Sequence, residues 1–276
     1  VIEVDISLGM IMWNIVGLPD TAIKESKQRI FAALKNAGIK FPERKITVNL
    51  SPADMKKEGS MFDLPIMIGL LDAAGILTLP EELKNNAVFV GEVGLDGRLI
   101  GGKGILSMTK HAVEKNKKYM IVPIGRADEA SLVKNITVIA PQSIQELCDW
   151  IKLYPNIPTY QSQEKNMSIK HSSKKSIDDI YGNEKAKRAA QIVAAGGHPL
   201  LLIGSPGSGK TMLAERISTV LPPMSYQEQL DVTEIYSAGG FLADYQLIKE
   251  RPFQSPHHTI SSAGLVGGGT NPHPGS

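Results

Sequence analysis

The chain predicts an α/β protein in two parts, an amino-terminal α/β domain followed by a partial P-loop domain. Three observations predict it. Short apolar strands alternate with amphipathic helices over residues 1–153. A polar connector follows over residues 154–175. Between Leu200 and Thr211 an apolar run leads into a glycine-rich turn and a helix start.

In the first part, Val1 to Ile6 reads as a strand, so the chain is expected to begin inside a longer protein. Ile11 to Val16 and Ile46 to Leu50 are strands by their β-branched content. Between them Thr21 to Ala37 is helical, with Ile23, Ile30 and Leu34 on one face and Gly38 as its stop. Leu64 to Ala74 is a strongly apolar helix. Ala87 to Glu92, Tyr119 to Val122 and Ile136 to Ala140 are further strands. Ile105 to Lys115 and Ile144 to Leu153 are helices.

The connector from Tyr154 to Lys175 carries Pro155, Pro158, Gln161, Gln163, Ser172 and Ser173 and few large apolar residues, the composition of an exposed linker. The second part, residues 176–276, opens on Ser176 to Gly182 and a helix over Asn183 to Ala195. Leu200 to Gly204 reads as a buried strand. The helix after Thr211 carries Leu213, Ile217, Val220 and Leu221 on one face, and Pro222-Pro223 stop it. Thr233 to Ala238 is helical, and residues 251–276 are rich in Gly, Pro, His and Ser.

Composition removes several function classes. The 276 residues suffice for two domains, and 42% hydrophobic content is ordinary for a globular protein. A net charge of +2 gives no bulk electrostatic argument for nucleic acid. A single cysteine, Cys148, excludes a disulfide framework or a cysteine-rich zinc site within one chain and fits a cytoplasmic setting. No apolar run reaches the length of a membrane span, and no signal peptide opens the chain.

The run Gly204-Ser205-Pro206-Gly207-Ser208-Gly209-Lys210-Thr211 has the spacing of a phosphate-binding loop. Such a loop turns backbone N–H groups inward onto polyphosphate oxygens, and the following helix N-terminus adds positive potential. Gly207 and Gly209 let the backbone approach without a Cβ in the way. Lys210 is the residue to reach the β- and γ-phosphates of ATP, and the Thr211 hydroxyl the one to ligate Mg²⁺.

Asp179-Ile-Tyr-Gly182, Ala189 to His198, the P-loop itself and Arg251-Pro-Phe-Gln-Ser-Pro-His-His-Thr-Ile-Ser261 together resemble the AAA+ module of Mg-chelatase-like proteins. The resemblance implies that Ile180, Tyr181 and Gly182 lie near the adenine. It implies that the histidine block belongs to an insert between the P-loop helix and the strand that carries the acidic residues. No apolar strand ending in Asp-Glu follows Thr211. The expectation is a module cut short before that strand, which binds ATP or ADP in part and hydrolyses it poorly.

Ile15 to Asp20, Lys24-Glu-Ser26, Ala32 to Gly38, Ile46 to Asp54, Lys57 to Pro65 and Gly91 to Gly97 resemble the amino-terminal domain of the ComM-like branch of that family. The likeness covers essentially the whole chain. It implies a cytoplasmic homo-hexameric motor, a hydrolase and helicase that drives branch migration of DNA in recombination and natural transformation. Branched or single-stranded DNA is then the partner, with no membrane.

The same domain is similar to the peptidase domain of Lon-type proteases, whose fold is shared with a small ribosomal protein. Those peptidases need a Ser–Lys dyad. Met61 occupies the apparent nucleophile position, with Ser60 one residue early, and Leu106 falls where the lysine belongs. Lys103 lies upstream and Lys110 one turn downstream. The expectation is therefore no peptidase, with Ser60 as N-cap of the apolar helix after it.

Lys56 with Lys57, and Lys170, Lys174, Lys175, Lys185, Lys187 and Arg188, are the candidate basic surface. It has no interleaved aromatics for base stacking. His257-His258 lacks a nearby carboxylate or cysteine set to complete a metal site. Two alternatives share the P-loop: a chelatase motor that inserts Mg²⁺ into a porphyrin-type ring, and a nucleotide-regulated protein-binding adaptor. Chelatase motors typically start close to the AAA+ module, whereas pull-down of a protein without DNA-stimulated ATPase marks the adaptor.

Overall fold

The computed structural model describes residues 1–162, 175–242, 246–268 and 274–275. Most of the expected connector, with Lys170 and Lys174, lies outside the described residues. The chain divides into two compact units, Val1–Ser162 with Tyr236–Gln246, and Gln163–Ile235 with Leu247–Ser276.

The first unit is a mixed α/β fold. Strand β1 (Ile2–Ser7) turns its odd residues Glu3 and Asp5 to solvent and its even residues Ile2, Val4 and Ile6 inward. Strand β2 (Met12–Val16) leads through helices α1 (Thr21–Lys24) and α2 (Ser26–Asn36) to β3 (Lys45–Leu50). The sheet order is β1-β3-β2, with β1 antiparallel and β2 parallel to β3, in register Ile2↔Leu50 and Met12↔Lys45. The β2–helix–β3 path is the crossover that a parallel pair requires.

Helix α3 (Asp63–Ala73) is preceded by a 3-10 turn over Ser60–Phe62. Its Leu64, Ile66, Met67, Ile68, Leu70 and Leu71 are all buried, as an all-round apolar helix must be. Helix α4 (Glu81–Asn86) leads into β4 (Ala87–Phe89), and a short hairpin pairs β5 (Glu92–Val93) with β6 (Leu99–Ile100). Helix α5 (Ile105–Glu114), strand β7 (Tyr119–Ile121), helix α6 (Ala127–Ser131) and strand β8 (Thr137–Ile139) complete a second sheet, order β4-β7-β8 and fully parallel. Helix α7 (Ile144–Lys152) is capped by Ser143, whose hydroxyl accepts from the Glu146 N–H at 3.3 Å. Its Leu147, Cys148 and Ile151 join the main core.

Two expected elements are interrupted. The helix expected over Thr21 to Ala37 breaks at Glu25, next to Ala22, whose carbonyl accepts from the Arg29 guanidinium at 2.7 Å. The strand expected over Ala87 to Glu92 leaves the ladder at Gly91. There the Gly91 N–H donates to the Met61 carbonyl, and the Gly91 carbonyl accepts from Leu64. A Cβ on Gly91 would stand 3.0 Å from Pro123, so glycine is what permits the departure.

In the second unit a 3-10 turn over Ile177–Asp179 precedes α8 (Glu184–Gly196), α9 (Lys210–Val220) and α11 (Ser262–Val266), and α10 (Tyr226–Gly239) belongs to it as far as Ile235. Ile177, Ile180, Ala190 and Leu213 form its core, flanked by Leu202, Ile217 and Val220. The buried strand expected over Leu200 to Gly204 is not formed. These residues join no ladder, and Leu201 and Ile203 are 81% and 86% exposed. The physical reason is that a strand needs a neighbour for its N–H and C=O groups, and none lies beside this run among the described residues. No helix among the described residues is long and apolar enough to cross a membrane.

Candidate functional site

The glycine-rich turn is built around Lys210. Its ammonium donates to the carbonyls of Gly204 at 3.0 Å and Ser205 at 2.7 Å, and to the Ser208 hydroxyl at 3.3 Å. The loop thus folds back over its own helix start. Gly207 (φ 80°) and Gly209 (φ 84°) adopt the left-handed conformation that side chains resist. A Cβ on Gly204 would come within 3.0 Å of the Ser208 hydroxyl. Ser205, Pro206, Gly207, Ser208 and Gly209 are exposed.

Gly209 is the N-cap of α9 and has no side chain to bond the first N–H groups of the helix. Those donors, at Lys210, Thr211 and Met212, have no partner within the helix. An anion is the natural complement of such an end, and the residues fit polyphosphate chemistry on three counts. The glycines leave space, the backbone donors are uncapped, and one ammonium is held by neutral oxygens that a phosphate outcompetes. Thr211 is exposed at the same end, where its hydroxyl can join a cation shell.

Ile180, Tyr181 and Gly182 divide their tasks. Ile180 is buried against the Leu213 cluster and so fixes this segment to α9. Tyr181 is 95% exposed. Gly182 (φ 69°) and Asn183 (φ 55°) turn the chain from there into α8. The segment is stapled by a residue that sequence reasoning missed. Arg216 of α9 donates from Nε to the Ser176 carbonyl at 3.0 Å and lies 3.6 Å from the Asp179 carboxylate. Ser176 and Asp179 close a capping box, a signal that the Ser-x-x-Asp spacing carried.

Met61 and Leu106 stand at the two positions that the Lon-type resemblance gives to serine and lysine. Met61 packs its sulfur where a Cβ on Gly102 would stand, 2.5 Å away. Leu106 is fully buried, and its N–H donates to the Glu129 carboxylate at 2.9 Å. Ser60 is not the N-cap of the apolar helix. It is the first residue of the 3-10 turn, and its hydroxyl donates to the Glu92 carboxylate, a charged acceptor that outcompetes a backbone cap.

The basic residues are largely paired. Lys56 meets Glu58 at 2.6 Å, and Lys57 donates to the carbonyls of Pro52 and Met55. Lys175 meets Glu215 at 2.6 Å and Lys187 meets Glu184 at 3.0 Å. The rings of His257 and His258 lie 4.1 Å apart with their planes tilted by 38°, and His257 Nδ1 bonds the Thr259 hydroxyl at 2.7 Å. Among the described residues no group of three metal-ligating side chains converges.

Residues 2–126 match the family described as subunit ChlI of Mg-chelatase, and residues 176–276 match that described as magnesium chelatase, subunit ChlI. The chain is 40% identical over 276 residues to competence protein ComM of Haemophilus influenzae, covering 99% of this chain and 54% of that protein. It is 38% identical over 274 residues to the uncharacterized protein YifB of Escherichia coli, covering 99% and 53%. The YifB protein of Salmonella typhimurium is 39% identical over 274 residues, with the same coverage. The chain spans about half the length of these relatives.

Proposed function

The chain belongs to the Mg-chelatase-like family of ComM-like proteins, and from that premise we propose that its Gly204–Thr211 loop binds the phosphates of ATP for an AAA+ motor acting on DNA. The observation that carries this reading is the Lys210 ammonium resting on the Gly204 and Ser205 carbonyls at the uncapped start of α9. On binding, Lys210 exchanges those carbonyls for β- and γ-phosphate oxygens, and the first N–H groups of α9 take the remaining charge. Thr211 would be the protein ligand of Mg²⁺, which would supply charge neutralisation at the phosphates. Ile180 anchors the segment beside the adenine, and Tyr181 and Gly182 border it.

Hydrolysis needs an acidic residue at the end of a neighbouring strand. No strand lies in the second unit among the described residues, so we assign the hydrolytic step to the full-length protein. There we propose ATP-driven branch migration of DNA by a homo-hexamer. The name of the Haemophilus relative, a competence protein matched along 99% of this chain, supports that choice. Repetition around a ring strengthens phosphate contacts that are weak in one copy.

The test is the ATPase rate of the full-length protein with no DNA, single strands, duplex and four-way junctions, at two salt concentrations. Strong stimulation by branched DNA that fades with salt is expected, together with loss of nucleotide affinity in Lys210→Ala. Unchanged affinity in that variant would overturn the P-loop role, and no stimulation by any DNA would overturn the motor role. A second reading, a motor for metal insertion into a porphyrin, is favoured by one observation: both family descriptions name the chelatase subunit. Stimulation by a porphyrin and Mg²⁺ in place of DNA would select it.

A further inference from the structure

Helix α2 has a core face and a solvent face. Ile30, Ala33 and Leu34 are fully buried in the core of the first unit. Lys27, Phe31 and Lys35 recur at every fourth residue and are exposed, so they form one stripe with neighbouring Cβ atoms about 5–6 Å apart. Phe31 is 48% exposed. Its ring meets that of Phe41 edge-on, with centroids 5.4 Å apart, and Phe41 meets Trp13 at 5.9 Å. Phe41 and Trp13 pack on the core. The core therefore holds one side of the Phe31 ring and leaves the rest open.

The cations around this ring lack counter-charges. Between Glu25 and Glu43 the chain carries no acidic residue. Glu25 is turned to Arg29, at 3.9 Å. Lys40 and Arg44 line one cleft of about 390 Å³ together with Phe41, and Glu43 is the carboxylate of that lining. Lys27, Lys35, Lys40 and Arg44 are all exposed, and their side chains make no hydrogen bond or ion pair among the described residues. Other lysines of the unit are neutralised: Lys84 meets Asp72 at 3.1 Å, Lys118 meets Glu82 at 2.6 Å, and Lys152 meets Asp149 at 3.0 Å. A net charge of +2 hides this local excess.

We propose that the exposed face of α2, with residues 40–44, binds single-stranded DNA. Lys27, Lys35, Lys40 and Arg44 take its phosphates, and the Phe31 ring stacks on an unpaired base. The inference rests on the reading of DNA as the motor's partner and gives the first unit its share of that contact. Charge and shape together select this partner. Backbone phosphates supply regularly spaced anions to a row of cations. An aromatic ring set among cations offers a stacking platform to any base, whatever its identity. A duplex keeps its base faces stacked inside, so it would use the cations and leave Phe31 idle. An acidic protein surface would do the same. From Lys27 to Lys35 the stripe runs ~12 Å, the length of about three or four stacked nucleotides. Because Phe41 already holds the ring, little side-chain freedom is lost on stacking.

The experiment is the anisotropy of a labelled single-stranded dT oligomer titrated with the full-length protein, without nucleotide, at several salt concentrations, and the same with a duplex. Phe31→Ala is expected to lower dT affinity about tenfold, through the lost stack, and to leave duplex affinity unchanged. Phe31→Trp should keep dT binding at the parent level, which separates stacking from lost packing on Phe41. The double variant Lys27→Gln, Lys35→Gln should reduce the slope of log affinity against log salt by about 1.4, the share of two phosphates of a single strand. Parent-like dT affinity and slope in these variants, with a parent that binds DNA, would overturn this site and leave the motor reading intact. A parent that binds no DNA overturns that reading and this site with it. Equal losses on dT and duplex in Phe31→Ala overturn the single-strand assignment. Salt-sensitive self-association that the lysine variant loses, beside unchanged dT binding, gives the face to a second copy and overturns the proposal.

Discussion

Arg29 of α2 grips Asp63 of α3 with two parallel hydrogen bonds, Nε to Oδ2 at 2.6 Å and Nη2 to Oδ1 at 2.9 Å. The Asp63 carboxylate is fully buried, and the Val93 N–H approaches it at 3.4 Å. Burial pushes the Asp63 carboxyl above the usual range, against the pull of the Arg29 guanidinium. The pair sets the angle between two core helices, which makes its two ends unequal to mutation. Arg29→Ala strands a buried carboxylate and should cost about 3–5 kcal/mol. Asp63→Asn keeps a hydrogen-bond acceptor and leaves the cation near solvent, so its cost should be about half of that. Urea midpoints of the two variants check the order; equal costs would mean that the carboxylate is solvated.

Arg216 should separate base recognition from phosphate recognition. It holds the Ser176 carbonyl and the Asp179 side chain, upstream of Tyr181, and touches no residue of the glycine-rich loop. Arg216→Ala should weaken ATP binding by about tenfold, the loss of one charge-assisted contact, and leave inorganic triphosphate affinity unchanged. Calorimetry with both ligands decides it. Equal losses would place Arg216 in the phosphate site. Thr211→Ala is its counterpart: affinity should fall with Mg²⁺ present and stay level in EDTA.

Tyr160 should give a pH signature of the first unit. Its hydroxyl donates to Asp128 at 2.6 Å, and burial together with that carboxylate pushes its pKa up to about 12. The protonated form is favoured in the folded state. The stabilisation is therefore complete below the ordinary tyrosine pKa of about 10 and disappears as pH rises toward 12. Tyr160→Phe should be less stable than the parent at pH 8, and the gap should close above pH 11. A gap that stays constant with pH would contradict the Asp128 bond.

Cys148 offers a clean readout, as the single cysteine of the chain. Burial pushes its thiol up to about 11, so little thiolate exists at pH 8. Labelling by iodoacetamide should be at least 100-fold slower than in denaturant. Fast labelling of the native protein would mean that α7 detaches from the core.

What could be read in the sequence was what periodicity encodes. Ile23, Ile30 and Leu34 are fully buried where the helical spacing put them, and the Ile46 to Leu50 strand holds the centre of its sheet. Boundaries failed where one side chain or one glycine bonded outside the regular pattern, as Arg29 does to Ala22 one or two turns back and Gly91 does to Met61 across the fold. The glycine-rich turn was legible because its spacing is itself the geometry, with positive φ at Gly207 and Gly209. The strand before it was misread because an apolar run states a preference for burial and says nothing of a partner. Arg216 was missed because its contact to Ser176 spans 40 residues and leaves no local pattern.

Met61 carries the last prediction. The Lon-type resemblance puts a nucleophile serine at its position, and placing a serine there should not create that chemistry. A serine hydroxyl needs a base to lose its proton. Leu106, which the same resemblance puts at the lysine position, is fully buried, with its N–H on Glu129. Ser60 beside Met61 already gives its proton to Glu92 in a hydrogen bond, so a second hydroxyl would not inherit that acceptor. Met61→Ser should therefore show no peptide cleavage and no labelling by a fluorophosphonate probe. It should lose about 1–2 kcal/mol of stability through the space opened against Gly102. Labelling confined to residue 61 would reveal a base that the buried Leu106 geometry excludes.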